Sequence, residues 1–395
     1  MTLMTLNNEI TLLRNGDTYF PAIEAAIDGA KQEIYLETYI FKIDRIGRCI
    51  SEALRRAALR GVKIHLLMDG FGSIIFPQSM LDSLRADGIR IRKFRPKTSP
   101  WTLRRRRLRR LHRKILVVDR KIAFVGGINI IDDLDGPGEG FPRFDYAVRV
   151  EGPLVAEIHR SARDMWLKRD LNHVENSAER DIGRRFTSFE SAGAMRAAFL
   201  IRNNIRNRRD IENAYLRAIE QARSEIILAN AFFLPGLNFR HALLDASRRG
   251  VRVILLLQGR VEYRLMHYAT HALYGSFLAA GIEIFEYYKS LMHAKVAVID
   301  GRWATIGSSN LDPFSLLLSL EGNVVVEDET FAASLKHSLN QAIKNDSRRI
   351  LPNNWRNQPF HMRLTSWLSY GIVRFLIGIA GYAPGKTPGP IKTDR

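Results

Sequence analysis

The feature that most constrains the fold of this chain is an internal duplication. Four blocks of sequence occur twice, in the same order along the chain. The paired blocks are EIYLETYIF (33–41) with EIILANAFF (225–233), RGVKIHLLMDG (60–70) with RGVRVILLLQG (249–259), DGIRIRKF (87–94) with AGIEIFEY (280–287), and LHRKILVVDRKIAFVGGIN (111–129) with MHAKVAVIDGRWATIGSSN (292–310). Matched blocks in matched order predict two copies of one structural unit.

Each copy has the pattern of an α/β unit. A helical stretch ends near Gly61 or Gly250, and an apolar run follows at once, as expected where a helix ends at glycine and the chain continues as a buried strand. We therefore predict an α/β fold with two homologous lobes, each a mixed β-sheet flanked by helices, packed as an intramolecular pseudo-dimer. The predicted limits are an N-terminal lobe at 1–170, a linker at 171–199, a C-terminal lobe at 200–350 and a tail at 351–395.

Composition agrees with two lobes and points to a class of partner. The chain has 395 residues, of which 46% are hydrophobic, enough for two cores. Its single cysteine, Cys49, cannot form an internal disulfide, and no secretion signal is recognisable at the N-terminus, so we expect a reducing compartment. A net charge of +19 favours polyanionic partners, either nucleic acid or an anionic lipid surface.

The fourth block carries the candidate chemistry. Both copies fit the pattern H-x-K-x4-D-x6-G-(G/S)-x-N, whose first part alone arises by chance at roughly one position in ten thousand. The residues of the pattern are His112, Lys114, Asp119, Gly126, Gly127 and Asn129 in the first copy, and His293, Lys295, Asp300, Gly307, Ser308 and Asn310 in the second. Two copies with equal offsets are not accidental.

The spacing suits phosphoryl transfer. Alternation along a strand places His112 beside Lys114, and His293 beside Lys295, on a common face. One imidazole can attack phosphorus while the other protonates the departing oxygen. Lysine, asparagine and the small residues at 127 and 308 would then stabilise or approach the negative oxygens. A metal site is disfavoured, because the lysines would repel a cation.

The paired motif resembles the HKD signature of the phospholipase D superfamily, and the resemblance covers nearly the whole chain. It implies a phosphohistidine intermediate, no metal or other cofactor, and a cleft between the lobes. It also implies an acidic residue that orients each histidine, for which Glu321 and Asp145 are the candidates. By this resemblance His112 is the nucleophile and His293 the acid and base, although the motif itself is the same in both copies. The predicted catalytic residues are His112, Lys114, Asp119, His293, Lys295 and Asp300, and the predicted phosphate-binding residues are Asn129, Asn310, Gly127 and Ser308.

Within the superfamily, YLETYIF, LHRKILVVD, VRVEGP and GSSNLDPFSLLLSLEGNVVV resemble the bacterial cardiolipin synthases that lack N-terminal membrane spans. That resemblance implies transfer of a phosphatidyl group from one phosphatidylglycerol to another, with release of glycerol. The chain departs from the pattern at Gly127, where serine is commoner, and in the density of arginine before His112. A hydrolytic phospholipase D and an HKD-type nuclease are the alternative functions.

Two segments bear on the partner. Residues 92–114 hold twelve basic residues and no acidic one, which favours a headgroup-binding rim beside the active site, with a solvated loop as the alternative. Residues 364–382 would extend roughly 29 Å as a helix. Arg374 near the middle and three glycines favour a helix lying in the membrane interface over a span, and a helix packed on the protein is the third possibility.

The expected partner is therefore an anionic phospholipid membrane that contains the phosphatidylglycerol substrate, and no nucleic acid is expected. The expected location is the cytoplasmic face of the bacterial inner membrane, as a peripheral or monotopic enzyme. One further acidic residue, Glu37, is open to two interpretations, a half-buried hydrogen-bonding group or a residue of the cleft.

Overall fold

The computed structural model describes residues 4–95, 109–134, 140–167, 191–203, 207–312, 319–357 and 359–379. Most of the basic segment 92–114, most of the predicted linker and the end of the tail lie outside the described residues.

The first half of the chain forms a mixed sheet with helices on its faces. Its elements are β1 (Thr5–Arg14), α1 (Asn15–Asp28), β2 (Glu33–Thr38), α2 (Arg45–Leu59), β3 (Lys63–Asp69), α3 (Gln78–Ala86), β4 (Arg90–Phe94), β5 (Arg110–Leu111), β6 (Ile115–Val118), β7 (Ile122–Gly126), β8 (Tyr146–Glu151) and α4 (Leu154–Leu167).

The second half repeats this order of elements and adds a C-terminal extension. Its elements are β9 (Met195–Arg202), α5 (Asp210–Gln221), β10 (Glu225–Asn230), α6 (Leu237–Arg248), β11 (Arg252–Gln258), α7 (Arg264–His271), α8 (Tyr274–Ala279), β12 (Glu283–Tyr287), β13 (Lys295–Ile299), β14 (Trp303–Gly307), β15 (Ser319–Glu327), α9 (Glu329–Asp346), β16 (Ser347–Ile350), α10 (Pro352–Arg356) and α11 (Phe360–Ile379).

The strand order is the same in both halves. In the first it is β1-β8-β7-β6-β2-β3-β4, and in the second β9-β15-β14-β13-β10-β11-β12-β16. Strands β2, β3 and β4 are parallel, whereas β6 runs antiparallel to β2, and the second half has the matching pairings. These sheets and their flanking helices confirm the predicted α/β class with two homologous lobes. The edge strands β1 and β9 also pair with each other, so that the two sheets continue into one.

A shared hydrophobic core holds the halves together. It contains Tyr146 and Ile158 from the first half and Val296 and Leu335 from the second, all at most 1% exposed. Strands β6 and β13 lie between helices and are buried throughout, which explains why they are apolar runs without alternation. The halves are therefore packed as one body, in which side chains from both can meet.

The tail helix α11 packs against α7. Val373, Ser366 and Ser369 are buried in this contact, whereas Trp367 and Phe375 are among the exposed apolar side chains of the opposite face. The sequence left three possibilities for this segment: a membrane span, a helix in the membrane interface and a helix packed on the protein. The described part of the segment packs on the protein body and also has an exposed apolar face. No helix in the described parts of the chain is both long enough and apolar enough to cross a membrane.

Candidate active site

The two motif segments meet because each is attached to the other half of the molecule. The amide N–H of His112 donates to the carbonyl of Leu320 at 3.0 Å, and β5 pairs in parallel with the start of β15. In the reciprocal arrangement, the N–H of His293 donates to the carbonyl of Phe144 at 2.8 Å. These cross-half hydrogen bonds bring both histidines to the junction between the lobes.

His112 is paired with a carboxylate from the second half. Its Nδ1 lies 3.1 Å from both oxygens of Glu321, which is fully buried. The hydroxyl of Ser308 donates to the same carboxylate at 2.5 Å, and the buried guanidinium of Arg202 lies 4.0 Å away. Burial raises the pKa of Glu321, but the neighbouring His112 and Arg202 outweigh it and hold that pKa below its usual value. Glu321 is therefore an anion that fixes the Nδ1–H tautomer of His112.

His293 is paired with a carboxylate from the first half. Its Nδ1 lies 2.6 Å from Oδ2 of Asp145, whose other oxygen accepts the N–H of Tyr146 at 2.8 Å. Burial alone would raise the pKa of Asp145. Lys295 and His293 lower that pKa by a larger amount, so it lies below its usual value and the carboxyl is ionised. Each histidine thus presents Nε2 as its remaining ring nitrogen and is oriented by an acid from the opposite half.

Both motif lysines are buried beside the histidines. The ammonium groups of Lys114 and Lys295 donate to the carbonyls of His112 and His293 respectively. Burial lowers the pKa of Lys114 to about 7 and that of Lys295 to about 8, against the opposing influence of Glu321 and Asp145. When both lysines are protonated, two cations held in a dehydrated site form a strong anion-binding centre.

The histidines are neutral before an anion binds. Burial and the neighbouring Lys295 lower the pKa of His293 to about 3. Burial, together with Lys114, also lowers the pKa of His112, despite the adjacent Glu321. A neutral imidazole carries the lone pair that nucleophilic attack requires.

The four predicted phosphate-binding residues lie around this centre, with several of their polar groups used inside the protein. The amides of Gly127 and Ser308 donate to the carbonyls of Tyr146 and Gly322. The side-chain oxygen of Asn129 accepts the N–H of Ile40 at 3.2 Å, and Asn310 is 5% exposed. Gly127 and Ser308 also lie beside the acids Asp145 and Glu321. Phosphate binding by these four residues stays a prediction.

The motif aspartates lie at the far ends of β6 and β13 from the lysines. The carboxylate of Asp119 accepts backbone N–H groups of residues 31–33 at 2.7–2.9 Å. Asp300 makes the matching set of bonds to residues 223–225. Both residues have positive φ, +50° and +52°, which the multiple bonds hold in place. This geometry gives the two aspartates a positioning role for the turn, at a distance from the reacting atoms.

Three contributors were missed in the sequence. Arg202 touches Glu321, Tyr39 packs edge-on against the His112 ring at 5.0 Å, and Arg113 forms a buried ion pair with Glu37 at 2.8 Å. Glu37 is therefore a buried partner of Arg113. Tyr39 lies inside the YLETYIF block and was a usable signal, whereas Arg202 stands in no recognised block.

Within the described residues, no group of three or more His, Cys, Asp and Glu side chains is arranged to hold a metal ion.

Comparison with known proteins links this site to one family. A family model described as "Cardiolipin synthase, PLD-like domain" matches residues 23–133 and again residues 215–343. Cardiolipin synthase B of Escherichia coli (strain K12) is 37% identical over 396 residues, covering 98% of this chain and 93% of the relative. Cardiolipin synthase B of Salmonella typhimurium is 37% identical over 390 residues, covering 96% of this chain and 91% of the relative.

Among solved structures, the phosphatidylserine synthase of Haemophilus influenzae Rd KW20 superposes with a TM-score of 0.71. The match covers 94% of this chain and 95% of that chain at 14% identity. At so low an identity the likeness demonstrates a common fold.

Proposed function

The chain belongs to the phospholipase D-like cardiolipin synthase family, and from this premise we propose that it transfers a phosphatidyl group between two phosphatidylglycerol molecules, giving cardiolipin and glycerol. The observation that supports this proposal most is the pair of histidines, each hydrogen-bonded to an acid from the opposite half. Such an arrangement provides a nucleophile and an acid–base group in one site.

In the first step, Nε2 of His112 attacks the phosphorus of phosphatidylglycerol and the P–O bond to glycerol breaks. Glu321 stabilises the positive charge that develops on the His112 ring. The departing glycerol oxygen takes a proton from His293, whose imidazolium is stabilised by Asp145. The products are phosphatidyl-His112, free glycerol and neutral His293.

In the second step, His293 removes the proton from the primary hydroxyl of a second phosphatidylglycerol. The resulting oxygen attacks phosphorus, the P–N bond to His112 breaks, and cardiolipin is released. His293 carries the proton again, so the cycle closes without net change in the protein.

Substrate binding favours protonation of His293 by solvent. The pKa of His293 is low because the side chain is buried and Lys295 is close. A phosphodiester anion bound between Lys114 and Lys295 would offset that positive field and raise the pKa of the imidazole. We therefore infer that the anion and the proton enter the site together.

The proposal extends to location and domain limits. The proposed limits are lobes at 1–170 and 200–350 with a tail at 351–395, except that β9 begins at Met195, so the second lobe starts within the predicted linker 171–199. The exposed apolar face of α11 and the net charge of +19 support a peripheral or monotopic attachment to the cytoplasmic face of an anionic membrane.

The test is turnover of phosphatidylglycerol labelled in its headgroup by the purified protein. Equal release of glycerol and formation of cardiolipin is the expected result. Phosphatidic acid as the main product would identify a hydrolase, and cleavage of single-stranded DNA without lipid turnover would identify a nuclease. The double variant His112→Ala, His293→Ala is the control for contaminating activity.

A further inference from the structure

Two loops at matched positions of the duplicated halves flank the active site, and they expose apolar side chains. One follows β3 at residues 70–77 and the other follows β11 at residues 259–263. We call them the mouth loops. The side chains of Phe71, Ile74, Ile75, Val261 and Tyr263 are between 51% and 67% exposed. Exposed apolar clusters of this kind at both matched positions indicate a binding surface.

Sheet register places both loops at the edge where the chemistry lies. Glu37 of β2 pairs with Leu67 near the end of β3 and with Ile115 at the start of β6. The end of β3 and the start of β6, which directly follows Lys114, therefore share one edge. In the second half, Asn230 pairs with both Leu257 and Lys295, which gives the same arrangement.

Direct contacts connect the start of the first mouth loop to the residues just before His112. The carboxylate of Asp69, where this loop begins, accepts the N–H of Leu111 at 2.7 Å. The guanidinium of Arg110 lies 4.9 Å from the centre of the Phe71 ring. The first loop is thus attached to the two residues that precede the catalytic histidine.

The second mouth loop approaches the same point from the other half. Tyr263 packs edge-on against Phe232, with ring centres 5.6 Å apart. Burial raises the pKa of Tyr39 to about 12, and Asp69 and Tyr263 act on it in the same direction from opposite halves. The hydroxyl of Ser73 in the first loop donates to the carbonyl of Tyr39 at 2.9 Å, and the Tyr39 ring contacts His112. The first loop therefore lies beside that histidine, and Tyr263 of the second loop approaches the same tyrosine.

The apolar surface continues from the second loop onto the tail. Helix α7 begins directly after Tyr263 and exposes Leu265, and α11 packs on α7 with Trp367 and Phe375 outward. A basic chain with an apolar surface around its catalytic opening is complementary to an anionic lipid bilayer, which offers negative headgroups above an apolar layer.

We propose that the two mouth loops insert into the lipid bilayer and place the opening of the active site against the headgroups. This inference rests on the proposed function, because a diacyl substrate must reach the histidines while its chains stay in an apolar medium. Insertion on both sides of the opening allows the headgroup to enter without extraction of the whole lipid. The partner is an anionic phospholipid surface rather than a second protein chain.

Insertion is tested by fluorescence quenching. Ile75→Cys and Val261→Cys, each in a Cys49→Ala background, are labelled with bimane and mixed with phosphatidylglycerol vesicles that carry a nitroxide on the acyl chain. Leu59→Cys is the matched control, because Leu59 is 83% exposed but lies at the end of α2, just before β3 and so at the opposite edge of the sheet. Quenching at positions 75 and 261 but not at 59 is expected.

A second measurement links insertion to turnover. Ile74→Ser, Ile75→Ser is expected to lower the ratio of activity on vesicles to activity on monomeric short-chain phosphatidylglycerol by about tenfold, while Leu59→Ser leaves the ratio unchanged. Lack of quenching at both loop positions with vesicles bound, or a concentration-dependent dimer that protects both labels without lipid, would overturn the proposal. Failure of the proposed function is a separate result, because the unsubstituted protein would then make no cardiolipin from either form of lipid while the quenching remained measurable.

Discussion

At the scale of single residues, the acids that orient the two histidines differ in length, and the residue beside each acid differs in size to match. Gly126 pairs with Ala147 and Gly307 with Asn323, which makes Asp145 and Glu321 equivalent positions. The longer acid, Glu321, is accompanied by Ser308, and the shorter acid, Asp145, by Gly127. A Cβ atom at Gly127 would lie 2.3 Å from Oδ1 of Asp145, so no larger residue fits there without a shift of the carboxylate. This contact explains why a glycine stands at 127 where the second copy has Ser308.

Gly127→Ser is therefore expected to displace Asp145 and reduce kcat by roughly 10²-fold, as a misplaced catalytic group does. The double variant Gly127→Ser, Asp145→Glu recreates the Ser308–Glu321 pair and is expected to recover part of the loss. Steady-state kinetics of the single variants Gly127→Ser and Asp145→Glu and of the double variant, with the unsubstituted protein, form a double-mutant cycle. Additive losses in the double variant would contradict the size matching.

The roles of the histidines can be separated by the leaving group. General acid catalysis contributes about 10²–10⁴ in rate for a poor leaving group such as glycerol. His293→Ala is expected to abolish turnover of phosphatidylglycerol yet release one equivalent of nitrophenol from a phosphatidyl-nitrophenol analogue, leaving the phosphatidyl group on His112. His112→Ala should give no burst with either substrate.

Mass spectrometry of the trapped protein decides the order. Label on His293 in the His112 variant would reverse the assignment, and no label in either variant would count against a covalent intermediate.

At the scale of elements, α11 has two faces in different environments. Val373 is fully buried against the protein, whereas Leu368 and Phe375 are more than half exposed. The inner face holds the helix on α7, and the outer face is free to contact lipid. Removal of the whole segment would expose the buried surface that it covers, so point substitutions are the cleaner test.

Leu368→Ser, Phe375→Ser is expected to weaken binding to anionic vesicles, measured by co-sedimentation, with little change in Tm. Val373→Asp is the matched inner-face variant and is expected to lower Tm, because it buries an unpaired charge. A large fall in Tm for the outer-face variant, or unchanged vesicle binding, would contradict this division.

At the scale of the whole molecule, the active site is built at a cost in stability. The unfolded chain binds protons on Lys114 and Lys295 up to a pH of about 10.5, but burial lowers their folded pKa values to about 7 and about 8. Between each folded pKa and pH 10.5, the unfolded state binds more protons than the folded state. The contribution of these lysines to the free energy of unfolding therefore rises with pH in this range. His293, with its pKa lowered to about 3, destabilises the folded state in the same way as pH falls below about 6.5.

Lys114→Met is accordingly expected to raise Tm at pH 7 while abolishing turnover, and to reduce the rise of stability between pH 7 and pH 10. Inorganic phosphate should raise the Tm of the unsubstituted protein more than that of the variant, since the anion relieves the repulsion between the lysines. Differential scanning calorimetry across this pH range provides both measurements. A lower Tm for the variant at every pH would show that the lysine stabilises the fold.

The sequence by itself determined the duplication, the α/β class and the motif residues at 112, 114, 293 and 295. These features can be read from short segments, because apolar strand runs and glycine helix ends extend over a few residues. The tertiary structure decided which acid meets which histidine. His112 and Glu321 are 209 residues apart in the sequence, and the pairing of β5 with β15 brings them together. It also turned the motif aspartates toward neighbouring turns, and it placed Arg202 against Glu321 through the pairing of β9 with β15. Contacts of this kind depend on how the two halves pack, and packing between distant segments leaves no periodic trace along the chain.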